Sequence, residues 1–102
     1  MKIRILTSAY NDLKRGRRFY ENQAKNLGDY FFDALFADID SLILYGGVYQ
    51  QLFGYHRMLS SRFPYAIYYK LDSNGYIMVW RILDCRQDPQ KTERQLIDEV
   101  SQ

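Results

Sequence analysis

The residues of this chain best suited to bind or transform a phosphate are cationic and lie in its second half. Arginine binds phosphate oxygens through paired hydrogen bonds and stabilises negative charge that develops on them. Histidine donates or accepts a proton near neutral pH. The candidates are Arg57, Arg62, Arg81, Arg86 and His56. Strand pairing should bring several of them within reach of one ligand, where they would bind a phosphate or stabilise negative charge that develops on it.

Two of these arginines, Arg57 and Arg81, lie inside apolar strand-like segments, where burying a charge is costly. Either they form a cationic patch on an open sheet face, or acidic partners hold them, or they extend to solvent along a partly exposed face. Arg62 and Arg86 follow strand ends, where a charge is unremarkable. By strand alternation, His56 points to the opposite side of the sheet from Arg57.

Other catalytic chemistry finds little support in the sequence. The chain has one histidine and one cysteine, so no metal-ligand spacing is present, and we expect no metal and no cofactor. A nucleophilic pair of Cys85 with His56 is possible in principle, but a small residue at a strand end is the favoured interpretation of Cys85. Gly46-Gly47 is better explained as the end of a helix than as a phosphate-binding loop.

The composition is that of a small folded protein. The chain has 102 residues, of which 47% are hydrophobic and 17% aromatic, and its formal net charge is +2. This length predicts a single domain over residues 1–102. The single cysteine excludes an internal disulfide, no signal peptide is recognisable, and no apolar run approaches transmembrane length. We therefore expect a cytoplasmic protein without a membrane anchor.

The first half of the chain predicts one strand and two helices. Residues 2–7 alternate between apolar and polar types, as a half-buried strand does. Two amphipathic helices should follow, and their short connection predicts an αα-hairpin. The residues expected to define the helix ends are Thr7 or Ser8 and Asp29 as N-caps, and Gly28 and Gly46-Gly47 as stops.

The second half predicts a mostly antiparallel sheet. We expect strands over residues 49–53, 55–62, 65–71 and 76–83, followed by a short helix over residues 92–100. Asp72-Ser73-Asn74-Gly75 is a hairpin turn signal, and the last strand is apolar on both faces apart from Arg81, as in a central strand. The order β-α-α-β-β-β-β-α is that of an α+β fold, with the helical hairpin packed on one face of the sheet and the other face at least partly open.

Several short segments occur in an order and at spacings that are typical of one protein family. They are Phe19-Tyr20-Glu21, Leu27-Gly28, Asp38 to Leu42, Tyr55-His56-Arg57-Met58-Leu59, Phe63 to Tyr69, Val79 to Asp84 and Arg86-Gln87-Asp88-Pro89. Through them nearly the whole chain resembles the RelE/ParE superfamily of bacterial type II toxins, also known as the plasmid stabilisation protein family.

This resemblance implies a growth-inhibiting toxin that is encoded beside an antitoxin, which wraps the toxin and blocks it. RelE-like members cut mRNA in the ribosome with basic residues of an open sheet face, whereas ParE-like members poison DNA gyrase. Arg57, Arg62 and Arg86 correspond to basic positions of the nucleases. The chain departs from them at Asp84 and Gln87, where many relatives carry His and Arg, and it lacks their C-terminal Tyr or His.

Three functions remain open on the sequence. ParE-like action on a protein target such as gyrase is slightly favoured, because the acid–base set of a nuclease is incomplete and the net charge is low for docking into ribosomal RNA. The alternative is a ribosome-dependent mRNA endonuclease that uses the five candidate residues as its catalytic set. The third is an inactive relative that only binds the antitoxin. All three predict a hetero-oligomer with the antitoxin.

Overall fold

The protein folds into three helices and a five-stranded sheet. The structure is a computed structural model, and it describes the backbone of residues 2–101 and the side chains of residues 2–98. The elements are β1 (Lys2–Ile5), α1 (Thr7–Gln23), α2 (Leu27–Tyr45), β2 (Gln51–Leu52), β3 (Tyr55–Leu59), β4 (Tyr65–Leu71), β5 (Tyr76–Asp84) and α3 (Pro89–Ser101). They follow each other in the order that the sequence predicts, so the α+β class is confirmed.

The sheet has the strand order β1-β5-β4-β3-β2. Strand β1 pairs with β5 in parallel, and the pairs β5–β4, β4–β3 and β3–β2 are antiparallel. Strand β5 therefore has a neighbour on each side, as its two apolar faces predict. The short strands β1 and β2 form the two edges of the sheet.

The helical hairpin of α1 and α2 covers one face of the sheet, which we call the hairpin side. The main core lies between these layers, and its members are Ala9, Leu13, Tyr20, Phe31, Leu35, Ile39, Leu42, Met58, Tyr65, Ile67, Tyr69, Ile77, Val79 and Ile82. The two helices approach closely because Gly16 has no side chain: a Cβ there would lie 2.5 Å from the Phe31 ring. A glycine at this point thus sets the distance between the helices.

Helix α3 covers part of the opposite face, which we call the α3 side. Leu96 of this helix is fully buried against Tyr55, Ala66, Tyr68 and Leu83. The Tyr55 hydroxyl donates a hydrogen bond of 2.9 Å to the Leu96 carbonyl, which ties α3 to β3. The next residue, Ile97, is half exposed, and the side chain of Val100 lies outside the described residues. The other half of the face, toward β1, carries no helix among the described residues.

A β-bulge in β5 breaks the alternation of side chains along this central strand. Tyr68 of β4 lies opposite Arg81, but the next residue, Tyr69, lies opposite Val79, so Trp80 is an extra residue in β5. The Ser8 hydroxyl donates a hydrogen bond of 2.8 Å to the Trp80 carbonyl. The predicted capping role of Thr7 or Ser8 is therefore wrong: α1 begins without a side-chain cap, and Ser8 supports the bulge instead.

The predicted boundary between the two helices is also wrong in detail. Helix α1 ends at Gln23, and Gly28 lies inside α2 rather than ending α1. The Glu21 carboxylate accepts hydrogen bonds of 3.0 Å from the backbone N–H groups of Asn26 and Gly28, so it replaces the expected cap by Asp29. Gly28 is required here because a Cβ would lie 2.5 Å from the Arg17 carbonyl oxygen. The expected end of α2 at Gly46 is confirmed.

The strand over residues 55–62 is shorter than the sequence predicts, because a buried carboxylate diverts the chain after Leu59. Asp38 of α2 accepts hydrogen bonds from the Ser60 hydroxyl at 2.6 Å and from the Ser61 backbone N–H at 3.2 Å. The predicted turn at residues 72–75 is present: Asp72 accepts hydrogen bonds from the backbone of Asn74 and Tyr76. Helix α3 begins at Pro89, earlier than expected, with proline at its first position.

Candidate functional site

The five candidate residues do not form one cluster; the structure places them in separate environments. Arg57 lies on the α3 side of β3, and its neighbour His56 lies on the hairpin side. Arg81 is buried against α1, Arg62 lies in the β3–β4 loop, and Arg86 follows the end of β5. Each environment decides what its side chain is able to do.

Arg81 forms a buried ion pair with Asp12 of α1. Its Nε donates to Asp12 Oδ2 at 2.7 Å and its Nη2 donates to Oδ1 at 3.0 Å. The same carboxylate accepts a hydrogen bond of 3.0 Å from the backbone N–H of Ile82. Arg81 and Asp12 are only 8% and 4% exposed. The sequence left three interpretations of Arg81 open, and the structure supports the one in which an acidic partner holds the arginine.

Arg86 is held by Asp84 in the same two-pronged way, but at the surface. Its Nε and Nη2 donate to the two carboxylate oxygens of Asp84 at 3.0 Å and 2.8 Å, and its backbone N–H adds a third bond. These hydrogen bonds from Arg86 lower the pKa of Asp84 and raise the pKa of the arginine. The positive charge of Arg86 is thus largely neutralised by a residue two positions before it.

Two buried tyrosines, which the sequence did not single out as site residues, lie beside this ion pair. Burial raises the pKa of Tyr65 to about 12, and the negative charge of Asp84 adds to the rise. Burial also raises the pKa of Tyr20, against the opposing charge of Arg86. The Tyr20 hydroxyl makes no hydrogen bond of good geometry within the described residues. Its relation to Arg86 is therefore an electrostatic one, and both tyrosines are neutral at pH 7.

His56 and Arg57 point to opposite faces, as strand alternation predicts. The His56 ring stacks on Tyr69, with 5.2 Å between ring centroids, and its Nδ1 lies 2.9 Å from the Tyr49 carbonyl oxygen. This contact places the ring proton on Nδ1. Arg57 donates from Nε to the Tyr68 hydroxyl at 3.3 Å, and its Nη2 lies 3.9 Å from the sulfur of Cys85.

Arg62 is an exposed residue that contacts α2. Its Nη1 donates to the Tyr30 hydroxyl at 2.8 Å, and its guanidinium lies 5.7 Å from the centroid of the same ring. The side chain is therefore positioned over the hairpin, at the opposite face of the sheet from Arg57.

The α3 side carries further cations that strand alternation places together. Arg4 lies 4.9 Å from the Tyr76 ring centroid, and the Lys70 ammonium lies 4.6 Å and 5.2 Å from the rings of Tyr55 and Trp80. Within residues 2–98, neither these two residues nor Arg57 forms an ion pair. The charges of Arg4 and Lys70 lie over aromatic rings, and all three cations remain available to an anionic group.

A groove runs along the edge of the sheet beside Arg57, and we call it the β2 groove. Its volume is about 420 Å³, and it is lined by Val48, Tyr49, Gln50, Gln51, Leu52, Arg57 and Leu59. A second cleft of about 270 Å³, between α1, β5 and α3, contains the Arg81–Asp12 pair together with Arg15, Asp84, Gln87 and Lys91. The β2 groove combines apolar walls with an unpaired cation, whereas the cations of the second cleft include two that are held by carboxylates.

The described residues hold neither a metal-binding cluster nor a membrane-spanning helix. There, no group of three or more His, Cys, Asp or Glu side chains is arranged to hold a metal ion. No helix in the same part of the chain is long and apolar enough to cross a bilayer.

Comparison with known protein families gives a match that spans most of the chain. Residues 3–89 match the family described as the ParE toxin of the type II toxin–antitoxin system, parDE. The chain belongs to this ParE toxin family. The resemblance to the RelE/ParE superfamily that the sequence suggested is thereby confirmed, and so is the classification as a type II toxin.

The fold of this ParE-family toxin is also similar to a solved structure, described as "Chromosomal ParDE TA system from P. aeruginosa". The TM-score is 0.71 at 14% sequence identity, and the similarity covers 80% of this chain and 92% of the other. At this identity the likeness shows a shared fold, and it shows nothing finer. A search of curated protein sequences gave no match.

Proposed function

We propose that this ParE-family toxin acts as a single cytoplasmic domain that arrests growth by binding a protein target of the DNA gyrase kind. The observation that carries the proposal is the state of two candidate arginines. Arg81 and Arg86 each already bind a carboxylate through two N–H groups. Offering either one to a phosphate requires breaking a two-pronged ion pair, which favours a function that does not depend on them.

The positions of the proton-transfer candidates support the same proposal. Cleavage of RNA by attack of a 2′-hydroxyl needs a proton acceptor and a proton donor beside the cation that stabilises the phosphorane. His56 stacks on Tyr69 at the hairpin side, whereas Arg57 extends over the α3 side. One bound phosphate cannot contact both residues without rearrangement of β3.

The proposal includes a cognate antitoxin that covers apolar surface and forms a hetero-oligomer with the toxin. Large apolar side chains are exposed from the end of α2 to the end of β3, where Leu44 and Val48 are 76% and 75% exposed. The others in this region are Ile43, Tyr45, Leu52, Phe53 and Leu59. Exposure of so many large apolar side chains within one stretch of chain supports a protein-binding site there.

A supercoiling assay with purified DNA gyrase tests the target. Excess toxin should inhibit supercoiling, and toxin that is first mixed with its antitoxin should leave the reaction normal. Normal supercoiling at a large excess of free toxin would contradict gyrase as the target. The antitoxin-bound sample is the control for non-specific inhibition, because it contains the same toxin at the same concentration.

The ribosome-dependent endonuclease is the second candidate, and one observation favours it. Arg4, Arg57 and Lys70 form no ion pair within residues 2–98, and they lie on the partly open α3 side, where an RNA strand would find both charge and aromatic rings. Primer extension on translated message should then reveal cuts that Arg57→Ala and Arg86→Ala weaken. If both variants cut the message as the wild type does, the endonuclease function is excluded.

The third possibility is an inactive relative that only binds the antitoxin. Normal growth when the toxin is expressed without its antitoxin would indicate this function.

A further inference from the structure

The second cleft, between α1, β5 and α3, opens where the sheet lacks a neighbouring strand. Strand β1 pairs only with residues 76–79 of β5, so the last part of β5 has a strand on one side alone. There the Cys85 N–H donates at 2.8 Å to the segment that leads into β4, whereas the Ile82 N–H donates at 3.0 Å to Asp12 of α1. Because these directions alternate along a strand, the N–H of Asp84 points to the cleft, as that of Ile82 does.

The cleft contains more positive than negative charge. Asp12 binds both Arg81 and Arg15, so this group of three carries one positive charge in excess. The other carboxylate of the cleft is matched by Arg86. Lys91 of α3 also lines the cleft and forms no ion pair within residues 2–98. The cleft therefore attracts an anion, whereas a metal cation would find both carboxylates already bound.

A buried hydroxyl without a partner belongs to the same cleft. Tyr65 lines it and is only 8% exposed, and its hydroxyl makes no hydrogen bond with the rest of residues 2–98. Burial and the charge of Asp84 raise the pKa of Tyr65 to about 12, so the hydroxyl is protonated at pH 7 and able to donate. Polar groups this deeply buried normally have a partner, and a bound anion would supply one.

The arrangement of the donors selects the kind of anion. They come from four elements: Arg15 of α1, Tyr65 of β4, the Asp84 N–H of β5 and Lys91 of α3. A tetrahedral phosphate has oxygens on all sides to accept from these directions, whereas a planar carboxylate has only two. The cleft volume of about 270 Å³ exceeds that of a phosphate ion, and Phe19, 46% exposed, adds an aromatic wall. A nucleobase could stack on this wall.

We propose that the second cleft binds a phosphate group, supplied either by a nucleotide whose base stacks on Phe19 or by inorganic phosphate. The phosphate accepts hydrogen bonds from the Tyr65 hydroxyl and the Asp84 N–H, and it lies between the charges of Arg15 and Lys91. It thereby connects α3 to the helical hairpin. This site is separate from the β2 groove and does not depend on which target the toxin binds.

The test measures the binding of AMP, adenosine and inorganic phosphate to the purified full-length toxin by isothermal titration calorimetry in a phosphate-free buffer. AMP should bind at least about tenfold more tightly than adenosine, because adenosine lacks the phosphate. AMP should also bind about tenfold more tightly than inorganic phosphate, and Phe19→Ala should remove this second difference. Equal affinities for AMP and inorganic phosphate, both unchanged in Phe19→Ala, would support the site with free phosphate as its ligand.

Two variants remove donors from the site. Lys91→Gln should weaken the binding of AMP and of inorganic phosphate about tenfold, and Tyr65→Phe should weaken both several-fold. The matched control is Lys14→Gln, which makes the same substitution at an exposed lysine of α1 that lies over the Tyr10 ring, outside the cleft. Its affinities should stay within about twofold of the wild type, as expected for a residue outside the contact.

Three outcomes overturn the assignment. The first is an absence of binding by AMP and by inorganic phosphate at concentrations up to about 10 mM. The second is an equal loss of affinity in Lys91→Gln and Lys14→Gln, which would indicate a general effect of net charge. The third is adenosine that binds as tightly as AMP, since stacking alone would then account for the binding.

Discussion

Arg57 and Arg81 occupy equivalent places in the sheet, but Arg81 is buried in an ion pair whereas Arg57 lies at the surface beside the β2 groove. Both lie opposite Tyr68, one on each side of β4. Without the extra residue Trp80, the two side chains would point to the same face. The bulge turns Arg81 toward α1, where Asp12 binds it, whereas Arg57 stays on the α3 side beside the β2 groove. One inserted residue therefore separates a structural arginine from an available one.

This comparison shows that residue type and strand position are insufficient to assign a charged residue to a site. The partner decides: a buried carboxylate satisfies Arg81, whereas the partners of Arg57 within the described residues are a tyrosine hydroxyl and a cysteine sulfur. The variants below test this contrast between the buried hairpin side and the exposed parts of the sheet by comparing their effects on the free energy of unfolding.

The largest effect is expected from Asp12→Ala, because it leaves Arg81 buried without its carboxylate. Breaking a buried ion pair from one side costs about 3–5 kcal/mol of folding free energy. Urea unfolding followed by circular dichroism measures this loss. Arg57→Ala is the matched control and should change the free energy of unfolding by less than about 1 kcal/mol. Equal losses in the two variants would show that the arginine environments do not differ.

A smaller effect is expected at alkaline pH from the buried Tyr65 on the hairpin side. Its pKa in the folded protein is about 12, against 10.0 for an ordinary tyrosine. Since the folded pKa is raised, this stabilisation is fully present below pH 10 and is lost as the pH rises toward 12. The loss is about 2–3 kcal/mol, and Tyr65→Phe should remove that part of the pH dependence. The test is to measure the free energy of unfolding of the wild type and of Tyr65→Phe at pH 9 and at pH 11.5. An equal decrease in both proteins between these pH values would contradict the raised pKa of Tyr65.

The opposite sign is expected for Phe53→Asn at the exposed edge. Phe53 has a positive φ of 53°, a backbone conformation that is unfavourable for phenylalanine and easier for asparagine. The substitution should therefore raise the free energy of unfolding by about 1 kcal/mol. Chemical denaturation of the free toxin measures the gain. In Phe19→Asn, the same change within α1 should not stabilise, because asparagine is a weaker helix former than most residues. Destabilisation by Phe53→Asn would mean that the side chain packs in the free toxin.

The smallest effect is expected from the surface pair of Asp84 and Arg86. Hydrogen bonds from Arg86 lower the pKa of Asp84 below 3.8, so the stabilisation is present above that pH and is lost as the pH falls through the folded value. Because their side chains are 28% and 55% exposed, Asp84→Asn should cost less than about 1 kcal/mol at pH 7. A loss as large as that of Asp12→Ala would place the two ion pairs in the same class.

Local signals predicted the elements, and distant contacts account for what the sequence missed. The turn at residues 72–75 and the central position of residues 76–83 follow from neighbouring residues, so they were predictable. Asp12 was not, because it meets Arg81 across 69 positions of sequence. Glu21 caps α2 from the preceding helix, and the bulge at Trp80 depends on the carbonyl that Ser8 binds. The sequence around each of these residues does not indicate its partner, because the partner lies in a different element of the fold.

The parallel pairing of β1 with β5 has a consequence for the synthesis of the chain. Lys2 pairs opposite Tyr76, and Asp12 binds Arg81, so these early residues need partners that are synthesised about seventy positions later. Contacts of such long range form slowly and late. A nascent chain that lacks β5 therefore cannot complete its sheet, so this domain folds only after β5 has been synthesised.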